Sequence, residues 1–300
     1  MNIFSSPKKQ IVLSARDYDL AATLDSGQVF RWVENPGTPP SWTGVVGNHW
    51  VRLTQRDDGI LAETAAPQEN WDWLRHFLQS DVDLSSILKT FPDDEPMRRA
   101  VAACHGLRVL RQDPWECLAS FILSSTKQIV QIRQIVAQLC ECFGNSLTLP
   151  GTAQRGVPAK RGLTSTFPTA QQIASLTETQ LRSCKMGFRA PNLLATARQV
   201  AEGQIDLEKL HHLKYEEALR ELMTLPGVGK KIADCVLLFA YGFDSAFPVD
   251  VWIERALREL YFPKRRVSEK RLKKFAATHF GPHAGYAQQY LFHYMRTKIR

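Results

Sequence analysis

At 300 residues the chain is long enough for a large core, as two domains or as one domain with a sizeable extension. With 44% hydrophobic and 23% charged residues it has the make-up of a soluble globular protein, and no apolar run approaches the roughly 18–20 residues of a membrane span. Thirty-eight basic against 30 acidic residues leave a net charge of +8 and a pI near 9.2, which favours a polyanionic partner, nucleic acid ahead of a membrane surface.

The N-terminal stretch "MNIFSSPKKQIVLSARDYDL" lacks the long apolar core of a signal peptide. The next segments, "GQVFRWVE", "SWTGVVG" and "HWVRLTQ", are short and rich in Val, Trp, Phe and Thr. They are separated by the turn-forming "NPGTPP" and "GN", so they predict strands of an antiparallel sheet. From "ENWDWLRHFLQS" the apolar period becomes helical. Residues 113–143 open on an Asp-Pro start signal and run through "IVQIRQIVAQLCECFG" to a glycine stop. Residues 150–168 form a Gly/Pro/Thr loop with three positive charges, after which "PTAQQIASL", "TETQLRSC", "APNLLATARQVAEG" and "KYEEALRELMTL" predict helices. The last helix is "YAQQYLFHYMRTKI". The fold class is α+β, with a β-rich domain at 1–112 carrying flanking helices and a mostly helical region at 113–300. The six cysteines, Cys104, Cys117, Cys140, Cys142, Cys184 and Cys235, have no disulfide-scaffold density and predict reduced thiols. No cysteine occurs after Cys235, which excludes a four-cysteine iron–sulfur cluster at the C-terminal end.

The stretch with the most chemistry is "EEALRELMTL-PGVG-KKIADCVLLFAYG", which predicts helix, glycine turn, helix over about 216–241. Gly227 and Gly229 let the backbone approach a ligand and expose amides at the start of the second helix, a site for a DNA phosphate. A plain helical hairpin is the simpler alternative. Two lysines in that first turn oppose the helix dipole. Residues four apart share a helical face, so Lys231 stands with Cys235 while Lys230 stands with Asp234. Lys230 is therefore expected to meet phosphate. Lys231 points toward a partly apolar interior, where an uncharged amine is favoured and acts as a nucleophile. In "SAFPVDVWIERAL", Asp250 predicts a helix N-cap, and its carboxylate would also serve to stabilise a cationic sugar.

Together "SGQVFRW", "GLRVLRQDPWECLASFILSS", "GFRA", "YEEALRELMTLPGVGKKIADC", "FPVDV" and "GYAQQYLF" make the chain resemble, over nearly its whole length, the helix-hairpin-helix DNA glycosylases, and within them the 8-oxoguanine DNA glycosylases. The resemblance implies an N-terminal twisted antiparallel sheet like half a TATA-binding protein, a helical glycosylase body and a bifunctional glycosylase/AP lyase. It implies Lys231 as nucleophile, Asp250 as its carboxylate, and a base pocket of the Gly27 carbonyl, Gln288, Phe292 and Cys235. DNA contacts are expected from Gly227, Gly229, Lys230, Phe188, Arg189, Thr126, Gln131 and Trp252. It also implies a structural cation on the backbone carbonyls of Met223, Leu225 and Val228, and no other cofactor. The expected partner is duplex DNA containing 8-oxoguanine, bound by a monomer inside the cell and not at a membrane: in cytoplasm or nucleoid in a bacterium, in the nucleus in a eukaryote.

The chain departs from the family pattern after "FILSS", where Thr126, Lys127 and Gln128 replace consecutive asparagines. Gln131 replaces an arginine, and Trp252 a frequent histidine. A sister glycosylase for another damaged base is the nearest alternative, and Gly27, Gln288 and Phe292 speak against it. A non-catalytic DNA-binding hairpin is the alternative from another class, and Lys231 with Asp250 speaks against that.

Overall fold

The structure, a computed structural model, describes residues 7–149, 162–263 and 265–298. Most of the expected basic loop at 150–168 and Lys264 therefore lie outside the described residues. In chain order the elements are β1 (Lys8–Leu13), α1 (Leu20–Asp25), β2 (Trp32–Asn35), β3 (Ser41–Val46), β4 (His49–Arg56) and β5 (Gly59–Gln68). They continue with α2 (Asp72–Leu78), α3 (Leu84–Leu88), α4 (Glu95–Ala103), α5 (Pro114–Leu123), α6 (Ile129–Phe143), α7 (Ala170–Ala174) and α8 (Glu178–Ser183). The last are α9 (Ala190–Ala201), α10 (Tyr215–Met223), α11 (Lys230–Val236), α12 (Val251–Ala256), α13 (Glu269–His279) and α14 (Ala284–Lys298). The class is α+β, and among the described residues no helix is long and apolar enough to cross a membrane.

The chain divides into two compact units, and each is built from three separate segments. Unit one comprises residues 1–16, 29–81 and 122–206, and unit two residues 17–28, 82–121 and 207–300. The expected boundary at 112/113 thus falls inside a segment of unit two.

Unit one holds an antiparallel five-stranded sheet of order β1-β5-β4-β3-β2. Two-residue connections, Gly47–Asn48 and Asp57–Asp58, fix the β3–β4 and β4–β5 registers at Val46↔His49 and Arg56↔Gly59. Val45, Val51, Leu53 and Ile60 are buried, each contributing about 1.5–3 kcal/mol for a fully buried side chain. The expected strand from Gly27 is shorter than its composition suggests, beginning only at Trp32, because residues 26–31 are held by side-chain bonds instead of a ladder. The expected run at 113–143 is two helices. Asp113 caps α5 through Glu116 N at 2.8 Å, and the chain then breaks before α6, with Thr126 in the left-handed region at φ +57°.

Unit two is helical. Its α11 and α12 each widen into a π-helical turn, at Leu237–Tyr241 and Leu257–Tyr261, a departure that tends to accompany function. The wide turn after α11 leaves carbonyls short of intrahelical donors. Arg111 Nη1 supplies one to Leu238 O at 2.9 Å and the Gln112 amide one to Phe239 O at 2.8 Å.

Candidate active site

The hairpin is built as its spacing predicts. Gly227 lies at φ +77°, Val228 N donates to Leu225 O at 3.1 Å, and Gly229 caps α11 with its carbonyl accepting from Ile232 and Ala233 at 3.0 Å each. A glycine cap has no side chain to occupy the first amides of α11, and a Cβ at Gly229 would meet nothing within 4 Å. This leaves an open, amide-lined turn. Among the described residues no three His, Cys, Asp or Glu side chains are grouped to hold a metal. A cation at this turn fits only on backbone oxygens, and Leu225 O has just one lone pair left after accepting Val228 N.

The two lysines diverge as the face argument requires, but Lys230 is not a bare cation. Its Nζ lies 2.9 and 3.1 Å from the two oxygens of Asp234 and 3.1 Å from the Tyr215 hydroxyl, which itself donates to Asp234 Oδ1 at 2.6 Å. Asp234 is only 1% exposed, and burial raises its carboxyl despite both partners. Lys230 therefore first neutralises a buried carboxylate and ties α10 to α11.

Lys231 is half-buried, with its Nζ 5.4 Å from the centre of the Phe121 ring. Its charge is felt by both Cys235 and Asp250. Asp250 is the N-cap of α12, Oδ1 accepting from Ile253 N at 2.9 Å. Burial raises its carboxyl, while the Ile253 amide and Lys231 pull the other way, so this group holds a proton more readily than a free aspartate. Cys235 is 4% exposed, and burial pushes its thiol up to about 12, which makes it a soft apolar surface and not a competing nucleophile. Trp252, half-buried, stands in the first turn of α12.

α14 carries Gln288 and Phe292 one turn apart. Gln288 is 4% exposed, yet among the described residues nothing hydrogen-bonds to its Oε1. A buried acceptor left open costs about 1–3 kcal/mol, so this oxygen is poised for a donor brought from outside. Phe292 is half-buried, with the Arg296 guanidinium 5.4 Å from its ring centre. Arg296 also donates to Asp25 O at 3.2 Å, at the end of the helix that leads to Gly27.

Gly27 lies at φ +82°, and its neighbours are pinned on both sides. Gln289 Nε2 donates to Ser26 O at 3.1 Å. The fully buried Gln28 donates to Arg108 O at 2.8 Å and Ser26 Oγ at 2.9 Å, and accepts from Leu110 N at 2.8 Å. Gln112 Nε2 reaches Gln28 O at 2.8 Å. Sequence patterns alone do not single out Gln28, Gln112 and Gln289. The available signal is their polarity inside otherwise apolar segments, where a buried amide needs partners.

Lys231, Asp250, Cys235, Gln288, Phe292 and Gly27 all belong to unit two, whereas Phe188, Arg189, Thr126 and Gln131 belong to unit one. There Phe188 is 61% exposed, a large apolar ring in solvent on a turn. Arg189 is 3% exposed: its guanidinium donates to Met186 O at 3.2 Å, to Ser125 O and to Thr126 Oγ1, and lies 4.2 Å from the Phe188 ring centre. Arg189 thus braces the 125–126 loop and Phe188, in place of extending into solvent. Gln131 is exposed, and its Oε1 accepts the Gln128 amide at 3.2 Å at the start of α6.

Residues 10–118 match the 8-oxoguanine DNA glycosylase N-terminal domain, and residues 119–281 the HhH-GPD superfamily of base excision DNA repair proteins. A probable N-glycosylase/DNA lyase of Methanothermobacter thermautotrophicus is 29% identical, over 93% of this chain and 94% of its own length. The N-glycosylase/DNA lyase of Saccharomyces cerevisiae is 32% identical, over 84% and 70% respectively. The Clostridium acetobutylicum 8-oxoguanine glycosylase/lyase, solved with duplex DNA bearing cytosine opposite 8-oxoguanine, superposes with a TM-score of 0.84 at 29% identity, covering 97% of this chain and 99% of that one. The chain therefore belongs to the HhH-GPD superfamily of base excision DNA repair proteins, on its 8-oxoguanine DNA glycosylase branch.

Proposed function

We propose that this protein, acting as a monomer on duplex DNA, flips 8-oxoguanine from the helix, cleaves its glycosidic bond and then nicks the strand as an AP lyase. The observation that carries the base assignment is the open, buried Gln288 acceptor on the same helical face as Phe292. A guanine-type Watson–Crick edge offers ring and exocyclic N–H donors to such an oxygen. Guanine's N7 is an acceptor, but in 8-oxoguanine N7 carries a proton. A fixed Gly27 carbonyl accepts that proton and repels the undamaged lone pair, and the Gln28, Gln112 and Gln289 bonds are what keep the carbonyl from yielding. Unstacking the nucleotide costs a few kcal/mol. The open amides of the hairpin and the exposed Phe188 ring offset that cost; a hard cation, if held on the carbonyls of Met223, Leu225 and Val228, would add charge to neutralise phosphate.

In the chemical step the Lys231 nitrogen bonds to the sugar C1′ as the glycosidic bond breaks, with the electron pair leaving on the base. Asp250, close enough to feel the Lys231 charge, counters the cationic sugar and takes the ammonium proton. The nitrogen lone pair then opens the sugar ring, the C1′–O4′ bond breaking with its electron pair and a proton passing to O4′. The protonated imine so formed acidifies the C2′ proton, and its loss expels the 3′ phosphate. Incubation with a duplex holding one 8-oxoguanine, with and without borohydride, tests the assignment. Borohydride should trap a covalent adduct with the protein, and Lys231→Gln should abolish it. Free base without any trapped adduct would remove the amine mechanism, and no release from 8-oxoguanine but release from an alkylated purine would favour the sister glycosylase.

A further inference from the structure

Two cysteines outside the candidate site stand together. Cys142 lies on α6 and is exposed, while Cys184 closes α8 and is fully buried. The helices are joined beside them by Gln138 Nε2 donating to Ser183 O at 3.2 Å. Gln138 is one helical turn before Cys142, and Ser183 is the residue before Cys184, so this bond brings the two cysteines near one another. Burial, and then the Cys142 sulfur, push the Cys184 thiol up to about 12. Neither cysteine has a role in the glycosylase reading. Cys117 and Cys235, by contrast, are 0% and 4% exposed and lie in the helices of unit two.

The pair adjoins a turn with an unusual backbone. Directly beyond Cys184, Lys185 and Gly187 take left-handed conformations, at φ +62° and +63°, and Phe188 and Arg189 come next. The dithiol therefore stands at the foot of the turn that presents Phe188.

We infer that Cys142 and Cys184 form an oxidisable dithiol, taking a hydroperoxide as its oxidant and closing to a disulfide that stiffens the 185–189 turn. The exposed Cys142 sulfur attacks the peroxide oxygen, giving a sulfenic acid and an alcohol, or water from hydrogen peroxide. The Cys184 sulfur then attacks the sulfenic sulfur. The S–S bond forms, hydroxide leaves and takes the Cys184 proton as water, and the two thiols have lost two electrons and two protons to the peroxide.

The test is hydrogen peroxide treatment of the full reduced chain, then peptide mapping without reductant and amide hydrogen exchange. The expected result is a cross-linked peptide joining Cys142 to Cys184, reversed by dithiothreitol. Exchange at 185–189 should slow several-fold in the oxidised protein. Cys142→Ser, a change at an exposed position, should give neither. Cys142 ending as sulfinic acid, with Cys184 still titratable after denaturation, would overturn the dithiol. A cross-link that leaves exchange at 185–189 unchanged would overturn its effect on the turn. Neither readout involves DNA, so both stand apart from the glycosylase assignment.

Discussion

At position 230 the ammonium is engaged before any DNA is bound. Removing it in Lys230→Met leaves the buried Asp234 with only the Tyr215 hydroxyl, a loss of about 1–3 kcal/mol at neutral pH. The Asp234 carboxyl is raised, so it takes up a proton as pH falls and the unpaired charge disappears. Thermal melts should show the deficit of the variant shrinking toward acid. Because the pair carries no net charge, the salt dependence of DNA binding should change by less than the one phosphate a free lysine would account for. Asp250 obeys the same sign. Its folded value lies above its unfolded one, so the native state binds more protons between the two, and the ionised carboxyl costs stability that is relieved as pH falls through the raised value. Asp250→Asn should therefore melt higher than the parent at neutral pH, with the gap closing toward acid. It should still bind the lesion, since the amide oxygen can cap α12, yet remove the base more slowly by orders of magnitude. A variant that instead unfolds with little loss in rate would leave Asp250 as a cap alone.

Helix α14 carries the proposed base-reading residues Gln288 and Phe292, and its placement depends on Gly285. The Gly285 amide donates to Asp244 O at 2.7 Å, and a Cβ there would run into Leu238 Cδ1 and lie 2.7 Å from Ala246 O. Backbone at that distance must move. Gly285→Ala gains about 0.5–1 kcal/mol of helix propensity but loses about 1–3 kcal/mol to overpacking. The shift would separate Gln288 from the loop that leads to Asp250. Single-turnover excision should fall more than the melting temperature does, and an unchanged rate would show that α14 has slack. At the start of α6, the Gln131 carbonyl accepts the Gln128 amide and keeps one lone pair, so it presents chiefly its amide donors, with no charge, to a DNA strand. With Arg189 also turned inward, no free arginine from this set is presented to the opposite base. Excision compared across four duplexes should favour cytosine least steeply here and more steeply in Gln131→Arg, which adds rigid, charge-assisted donors at the cost of a cap. An equally shallow preference in that variant would move the explanation to Thr126 and Lys127.

Over the whole molecule, a net charge of +8 suits a polyanionic partner, and the comparisons place the chain among DNA repair proteins. The chain passes between units several times. Residues 17–28 leave the strand-rich part of the sequence to join unit two, which carries Gly27 to the same unit as Lys231 and Asp250. Composition changes only once along the chain, near the start of the helical region, so a linear reading divides it once. The folded units divide it at each crossing.

By itself the sequence determined what local rules can settle: strands β3 and β4 from β-forming composition and turn residues, the α10–α11 hairpin from its glycines, the Asp250 cap, and the separation of Lys230 from Lys231 by helical periodicity. It did not reveal β1 and β5, whose pairing joins residues some fifty positions apart, or the break between α5 and α6, where Thr126 takes a conformation that its type disfavours. Only the tertiary structure decided that Lys230 pairs with a carboxylate, that Arg189 turns inward, that Gln28 fixes the flank of Gly27 and that Gln288 keeps an open acceptor. Each of these depends on which polar groups lose water together, and burial is a property of distant segments brought into contact, not of neighbours in the chain.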